Sequence, residues 1–110
     1  MTTNAHSKEV HEYHTVIKTY NTIASWYKHG KVTANGERFN PWGLTVAHRS
    51  LPFGTKLRLT NLETNKSIIV IVNDRGPFIR GRGLDVTLGC AIRLGMYNTG
   101  VTKLRVEIFK

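Results

Sequence analysis

Ser67-Ile-Ile-Val-Ile-Val-Asn-Asp-Arg-Gly-Pro-Phe78 joins five consecutive β-branched aliphatic residues to an aspartate and a Gly-Pro turn. A run this short, bounded by turn residues and built only of stiff β-branched side chains, reads as a strand rather than a helix. Its unbroken apolar character predicts burial on both faces. The strand then aims at Asn73 and Asp74, where Gly76-Pro77 stops it. Chemistry is often presented at such a point, where a chain leaves a rigid strand for a loop.

The neighbouring segments carry the same texture. Residues 56–62 alternate Leu57 and Leu59 with Arg58 and Thr60, the period of two of a half-buried strand, and residues 63–66 form the hairpin connection to the run above. Residues 22–27 and 44–47 read as shorter strands. Residues 102–109 alternate Leu104, Val106 and Ile108 with Lys103, Arg105 and Glu107 and close the chain as another. Residues 87–94 are the one helix of the body, with Asp85 or Thr87 as its N-cap, Leu88, Ala91 and Ile92 facing inward, and Gly95 as its stop. Residues 1–20 are polar and predict a flexible arm; residues 21–110 predict one small β-barrel.

At 110 residues the chain suits a single core, and 40% hydrophobic against 21% charged residues places it in the globular range. Sixteen Lys and Arg against seven acids give a formal charge of +9, which points to a polyanionic partner such as nucleic acid, an acidic membrane surface or an anionic cell-wall polymer. No basic stripe interleaved with aromatics and no RNP-type sequence supports nucleic acid. No run approaches a membrane span, and no apolar segment with a cleavage site marks an export signal in this sequence. Cys90 is alone, so neither a disulfide framework nor a Cys-x-x-Cys metal pair is expected. His6, His11 and His14 invite a metal reading, but His-Glu-Tyr-His is one residue short of the two-turn zinc motif, and no metal or cofactor is assigned.

The ordered blocks Ala24-Ser-Trp-Tyr27, Thr33-Ala-Asn-Gly-Glu37, Ala47-His-Arg49, Leu51-Pro-Phe-Gly54, Val72-Asn-Asp-Arg-Gly-Pro-Phe78, Leu84-Asp-Val-Thr87 and Leu94-Gly95 together resemble the rare lipoprotein A family. The resemblance covers nearly the whole body. It implies a mainly β fold, a six-stranded double-psi β-barrel with one or two short helices, related to expansins. It also implies a lytic transglycosylase of the cell envelope or periplasm, acting on peptidoglycan glycan strands that have lost their stem peptides and leaving 1,6-anhydro ends; the domain is expected to be a monomer. The alternative from a different class is a non-catalytic, expansin-like module that grips the polysaccharide. Lys28-His-Gly-Lys-Val32 is shorter than the family's usual connection at this place.

A lytic transglycosylase needs no activated water, because the C6 hydroxyl of the muramic ring attacks C1 of the same ring. One carboxyl group can protonate the leaving oxygen and then accept the hydroxyl proton, whereas a hydrolase needs two carboxyls at a set separation. The resemblance assigns that role to Asp74, with Glu37 and His48 in support. A general acid must hold its proton near neutral pH, which calls for burial or a nearby carboxylate. In an extended strand Arg75 would point away from Asp74. Asp85 is the rival acid, although a helix cap is its ordinary explanation. Trp42, beside Pro41 and Gly43, is the expected exposed sugar platform among Trp26, Tyr27, Trp42, Phe53 and Phe78. Arg49, Arg75, Arg80 and Arg82 are candidates to meet substrate carboxylates, with Asp85, Trp42, Arg49 and Arg75 taken as the substrate-binding set.

Overall fold

The computed structural model describes residues 15–110; the arm histidines His6, His11 and His14 lie outside them. Six strands, β1 (Val16–Tyr27), β2 (Thr45–Ala47), β3 (Lys56–Asn61), β4 (Ser67–Asp74), β5 (Leu84–Thr87) and β6 (Thr102–Phe109), close into a barrel in the order β1-β5-β2-β4-β3-β6. One helix, α1 (Leu88–Leu94), follows β5 directly. The β1/β5 and β2/β4 pairs are parallel and the other four are antiparallel.

Alternation builds the core. Leu57, Leu59, Val46, Val72, Leu84, Val86, Leu104 and Val106 are fully buried inside the barrel, joined by Leu94 and Met96 from the helical segment. Each such side chain contributes about 1.5–3 kcal/mol relative to exposure, and closure gives every strand a paired neighbour on both sides along at least part of its length.

The structure corrects several expectations. The aliphatic run is not buried on both faces, because Val70 and Val72 point into the core while Ile69 is 36% exposed on the outside. A closed barrel has one interior and no second layer over this part of its outer surface. β1 begins at Val16, pairing with Phe109, so residues 16–20 belong to the barrel and not to an arm ending at residue 20. β5 was hidden in the sequence, since four residues beside a glycine-rich turn resemble a capping segment. The N-cap is Thr87, whose hydroxyl oxygen accepts from Cys90 N at 3.2 Å. Asp85 is instead a strand residue. Ile92 is 48% exposed, and the helix buries Gly89, Cys90, Ala91 and Leu94.

Both ends of α1 are tied to the loops that matter below. The Thr87 hydroxyl donates to Gly43 O at 2.6 Å, and Gly89 N donates to Pro41 O at 2.8 Å. A Cβ on Gly89 would lie 2.7 Å from Trp42 O, so only glycine lets the helix approach that loop. At the other end Asn61 Nδ2 and Thr64 Oγ1 both donate to Leu94 O, at 2.8 and 3.0 Å, satisfying a carbonyl that the helix cannot pair itself.

Candidate active site

The site is organised around Ala47. Val46 lies opposite Val72, but the next partner of β2 on β4 is Asp74, not Asn73, a slip of one residue. Strict alternation from the inward Val72 would send Asp74 into the apolar core. The slip turns it to the outer face, the familiar use of a register irregularity to re-aim a side chain. On the other flank of β2, Asp85 is also level with Ala47. Two aspartates thus stand on strands either side of a small residue, with backbones about two strand spacings, roughly 10 Å, apart. Beyond Asp85 in the same row comes Ser25 of β1, whose Oγ donates to Asp85 Oδ1 at 3.0 Å.

The two carboxyl groups have different surroundings. Asp74 Oδ1 accepts the backbone N–H groups of Ala34 and Arg75, at 2.8 and 2.9 Å, and Oδ2 accepts the Tyr27 hydroxyl at 3.3 Å. Three donors thus face one side-chain carboxyl group. Asp85 is half-buried, and burial pushes its pKa above the ordinary carboxyl value, with the charge of Asp74 adding to the rise; the Ser25 hydrogen bond and Arg82 oppose it. Tyr27 lies two residues along β1 from Ser25 and so on the same face. Burial first, then Asp74, keeps its phenol protonated far beyond the usual range. Its ring stacks on Phe39 with centroids 5.1 Å apart.

The loop at 33–37 docks against this row. Asn35 Oδ1 accepts from Thr33 Oγ1 and from Glu37 N, Gly36 N donates to Thr33 O, and Asn35 N donates to Asn73 O at 3.2 Å. The tight loop delivers Ala34 N to Asp74 and places Glu37 Oε1 3.0 Å from Asn73 Nδ2.

The remaining candidates divide. His48 Nδ1 accepts the backbone N–H groups of Ser50 and Leu51, both at 3.0 Å, and Nε2 lies 3.4 Å from the Tyr20 hydroxyl. Two donors on Nδ1 place the ring proton on Nε2. Burial, then the charges of Arg75 and Arg49, lower the His48 pKa. The ring makes no hydrogen bond to Asp74; only the backbone N–H of His48 reaches it, at the Asp74 carbonyl oxygen, 3.1 Å away. Arg75 does point away from Asp74, and its guanidinium is occupied: Nη1 donates to His48 O and Leu51 O at 3.2 and 2.9 Å, and Cζ sits 3.9 Å from the Phe53 ring centroid. It braces the 48–51 loop. Arg49 is exposed and donates from Nη2 to Arg82 O at 2.9 Å.

Of the aromatic candidates, Trp26 is stacked on Tyr97, Tyr27 on Phe39, and Phe53 is covered by Arg75. Trp42 and Phe78, 64% and 78% exposed, keep open ring faces. Sequence reasoning had Tyr27 only as a ring and passed over Ser25 and Asn73. The signal for the first two was the outward alternation of Ser25 and Tyr27 on β1; Asn73 had none beyond its place beside Asp74.

The sequence profile of the family described as "Lytic transglycolase" matches residues 19–106. The chain is 50% identical over 95 residues to a probable endolytic peptidoglycan transglycosylase RlpA of a Nostoc strain, covering 82% of this chain and 26% of that protein. It is 44% identical over 102 residues to the endolytic peptidoglycan transglycosylase RlpA of Campylobacter jejuni, covering 87% of this chain and 37% of that one. The chain therefore spans well under half the length of these relatives. Among solved structures, Streptomyces papain inhibitor superposes with a TM-score of 0.71 at 14% identity, over 89% of this chain and all of that one. The expansin of Clavibacter michiganensis does so with a TM-score of 0.69 at 18% identity, over 84% of this chain and 51% of that one. At such identities these two speak for the barrel alone.

Proposed function

The chain belongs to the rare lipoprotein A family of lytic transglycosylase domains, and on that premise we propose that it cleaves peptidoglycan glycan strands lacking stem peptides, between N-acetylmuramic acid and N-acetylglucosamine. The observation that carries the reading is the pair of aspartates level with Ala47 in contrasting surroundings. Asp85, whose pKa is raised by burial, gives its proton to the glycosidic oxygen as the C1–O bond breaks. Asp74, held by three donors, faces the positive charge developing at C1. The muramic C6 hydroxyl closes on C1 to form the 1,6-anhydro ring, and its proton returns to Asp85, so no water is consumed. This division of labour moves the proton from Asp74, the first choice from sequence, to Asp85. Glu37 flanks the row, and His48 acts as a structural support for the 48–51 loop.

The exposed rings of Trp42 and Phe78 offer pyranose faces a surface to pack on, and the excess of positive charge suits an anionic polymer. The place of action is then the cell envelope, where the polymer lies. Among the described residues no helix is long and apolar enough to cross a membrane. The deciding experiment is mass spectrometry of soluble products after incubation with amidase-stripped peptidoglycan. Anhydro-muramic ends are expected. Reducing ends would point to hydrolysis, and bound glycan without any product would leave a binding module.

A further inference from the structure

Asn73 is left over by the chemistry above, and its environment is unusual. At the β4 slip Asp74 emerges to the outer face while Asn73 stays 5% exposed. Its Nδ2 donates to Glu37 Oε1 at 3.0 Å, whereas its Oδ1 is buried with no hydrogen-bond partner among the described residues. The orientation of the amide is set by Glu37, because the flipped amide would place two acceptors against each other. Buried polar atoms are almost always paired, so a half-satisfied amide calls for a reason. Leucine has the same branched outline with no polar atom and would leave nothing unpaired.

Glu37 is exposed, and Asn73 is the group that holds its carboxylate. The other bonds that dock this loop, Asn35 N to Asn73 O and Ala34 N to Asp74 Oδ1, fix its backbone and leave the glutamate side chain to swing. An unrestrained glutamate is among the side chains with most rotamer freedom to lose.

We propose that Asn73 is a positioning residue that anchors Glu37 Oε1 and leaves Oε2 for the sugar beside Asp74, at the expense of an unpaired amide oxygen. The inference rests on the transglycosylase reading and extends it to a residue that touches no substrate. It explains why a polar side chain occupies a buried place at the end of a strand whose alternate residues Val70 and Val72 build the core.

The test uses the full chain and the variants Asn73→Leu, Glu37→Gln and the double variant. Asn73→Leu should lower kcat for anhydro-product release by up to about 100-fold, the scale of a misplaced reacting group, with little change in KM. Its thermal midpoint should equal or exceed that of the wild type. The double variant should be no slower than Glu37→Gln alone, since the two residues act through one carboxylate. A wild-type rate in Asn73→Leu, a rate loss that tracks a fall in midpoint, or losses that multiply in the double variant would each overturn the proposal. An activity-free readout is the NMR signal of the Asn73 side-chain amide, expected to shift in Glu37→Gln. If the wild type releases no product, the transglycosylase reading falls, and that signal alone decides the pairing: an unmoved amide overturns it.

Discussion

Replacing Tyr27 by phenylalanine removes one oxygen and leaves the rest of the site in place, so its effect can be worked out from the contacts. The ring keeps its stacking on Phe39, and the hydrophobic contribution of the aromatic body is unchanged. Lost is one hydrogen bond to Asp74 Oδ2, long at 3.3 Å and only half-buried. A hydrogen bond to a charged group is worth about 1.5–3 kcal/mol when well formed, and the length and partial exposure of this one bring the expected loss to about 1 kcal/mol. For a domain of this size that lowers the thermal midpoint by roughly 4–8 °C. Asp74 retains its two backbone donors, so the barrel should stay folded, while Oδ2 becomes free to turn from the sugar and product release slows about tenfold. The assay is a double-mutant cycle of Tyr27→Phe with Asp74→Asn, read by thermal or urea unfolding monitored by circular dichroism. A coupling energy near 1 kcal/mol is expected. Additive losses, within about 0.3 kcal/mol, would mean that the hydroxyl and the carboxylate do not interact and that Tyr27 is only a packing residue.

Asp85→Asn should abolish anhydro-product release, a loss of at least about 100-fold, and yet raise the thermal midpoint at neutral pH. Because burial raises the folded pKa of Asp85, its favourable contribution is complete below the ordinary carboxyl range and is lost as pH rises through the raised folded value, so the midpoints of variant and wild type should converge in acid. His48 has the opposite sign: its neutral ring contributes stability above its ordinary pKa of about 6.5 that is lost as pH falls through the lowered folded value. His48→Gln should therefore flatten the acid limb of a midpoint-against-pH curve, and an unchanged slope would remove His48 as a stability element. Gly89→Ala gains about 1 kcal/mol of helix propensity but sets a methyl 2.7 Å from Trp42 O; overpacking against backbone costs about 1–3 kcal/mol or more, so net destabilisation in chemical unfolding is expected, and a stabilised variant would refute the close approach.

Much of the barrel was legible residue by residue. Alternation located β6 over its full length, and the Gly95 stop and Thr87 cap bracket α1 as their chemistry requires, with Gly95 in the left-handed region at φ 73°. The ordered blocks named Asp74, Glu37 and His48 together, with Asp85 as a rival acid, before any geometry was known. Legibility failed where the local pattern was ambiguous. β5 is too short to show a period, and its aspartate imitates a cap. The five-residue aliphatic run looks the same whether one face or both are covered. The hydrogen bonds that tie His48 and Arg75 to backbone groups of residues 48–51 are not visible from residue type.

The sequence by itself determined most of the strands, the stop of the helix at Gly95, and which family the chain resembles. Those properties depend on propensity and on the side-chain period, both of which act over a few residues. Only the tertiary structure decided how the surroundings of the two aspartates differ. Ser25 reaches Asp85 across 60 residues of chain and Tyr27 reaches Asp74 across 47. The one-residue slip opposite Ala47 breaks the alternation that a sequence would project onto Asp74. Burial, hydrogen-bond partners and charge neighbours set the behaviour of a carboxyl group, and in a closed barrel these are supplied by strands that are neighbours in space and strangers in sequence.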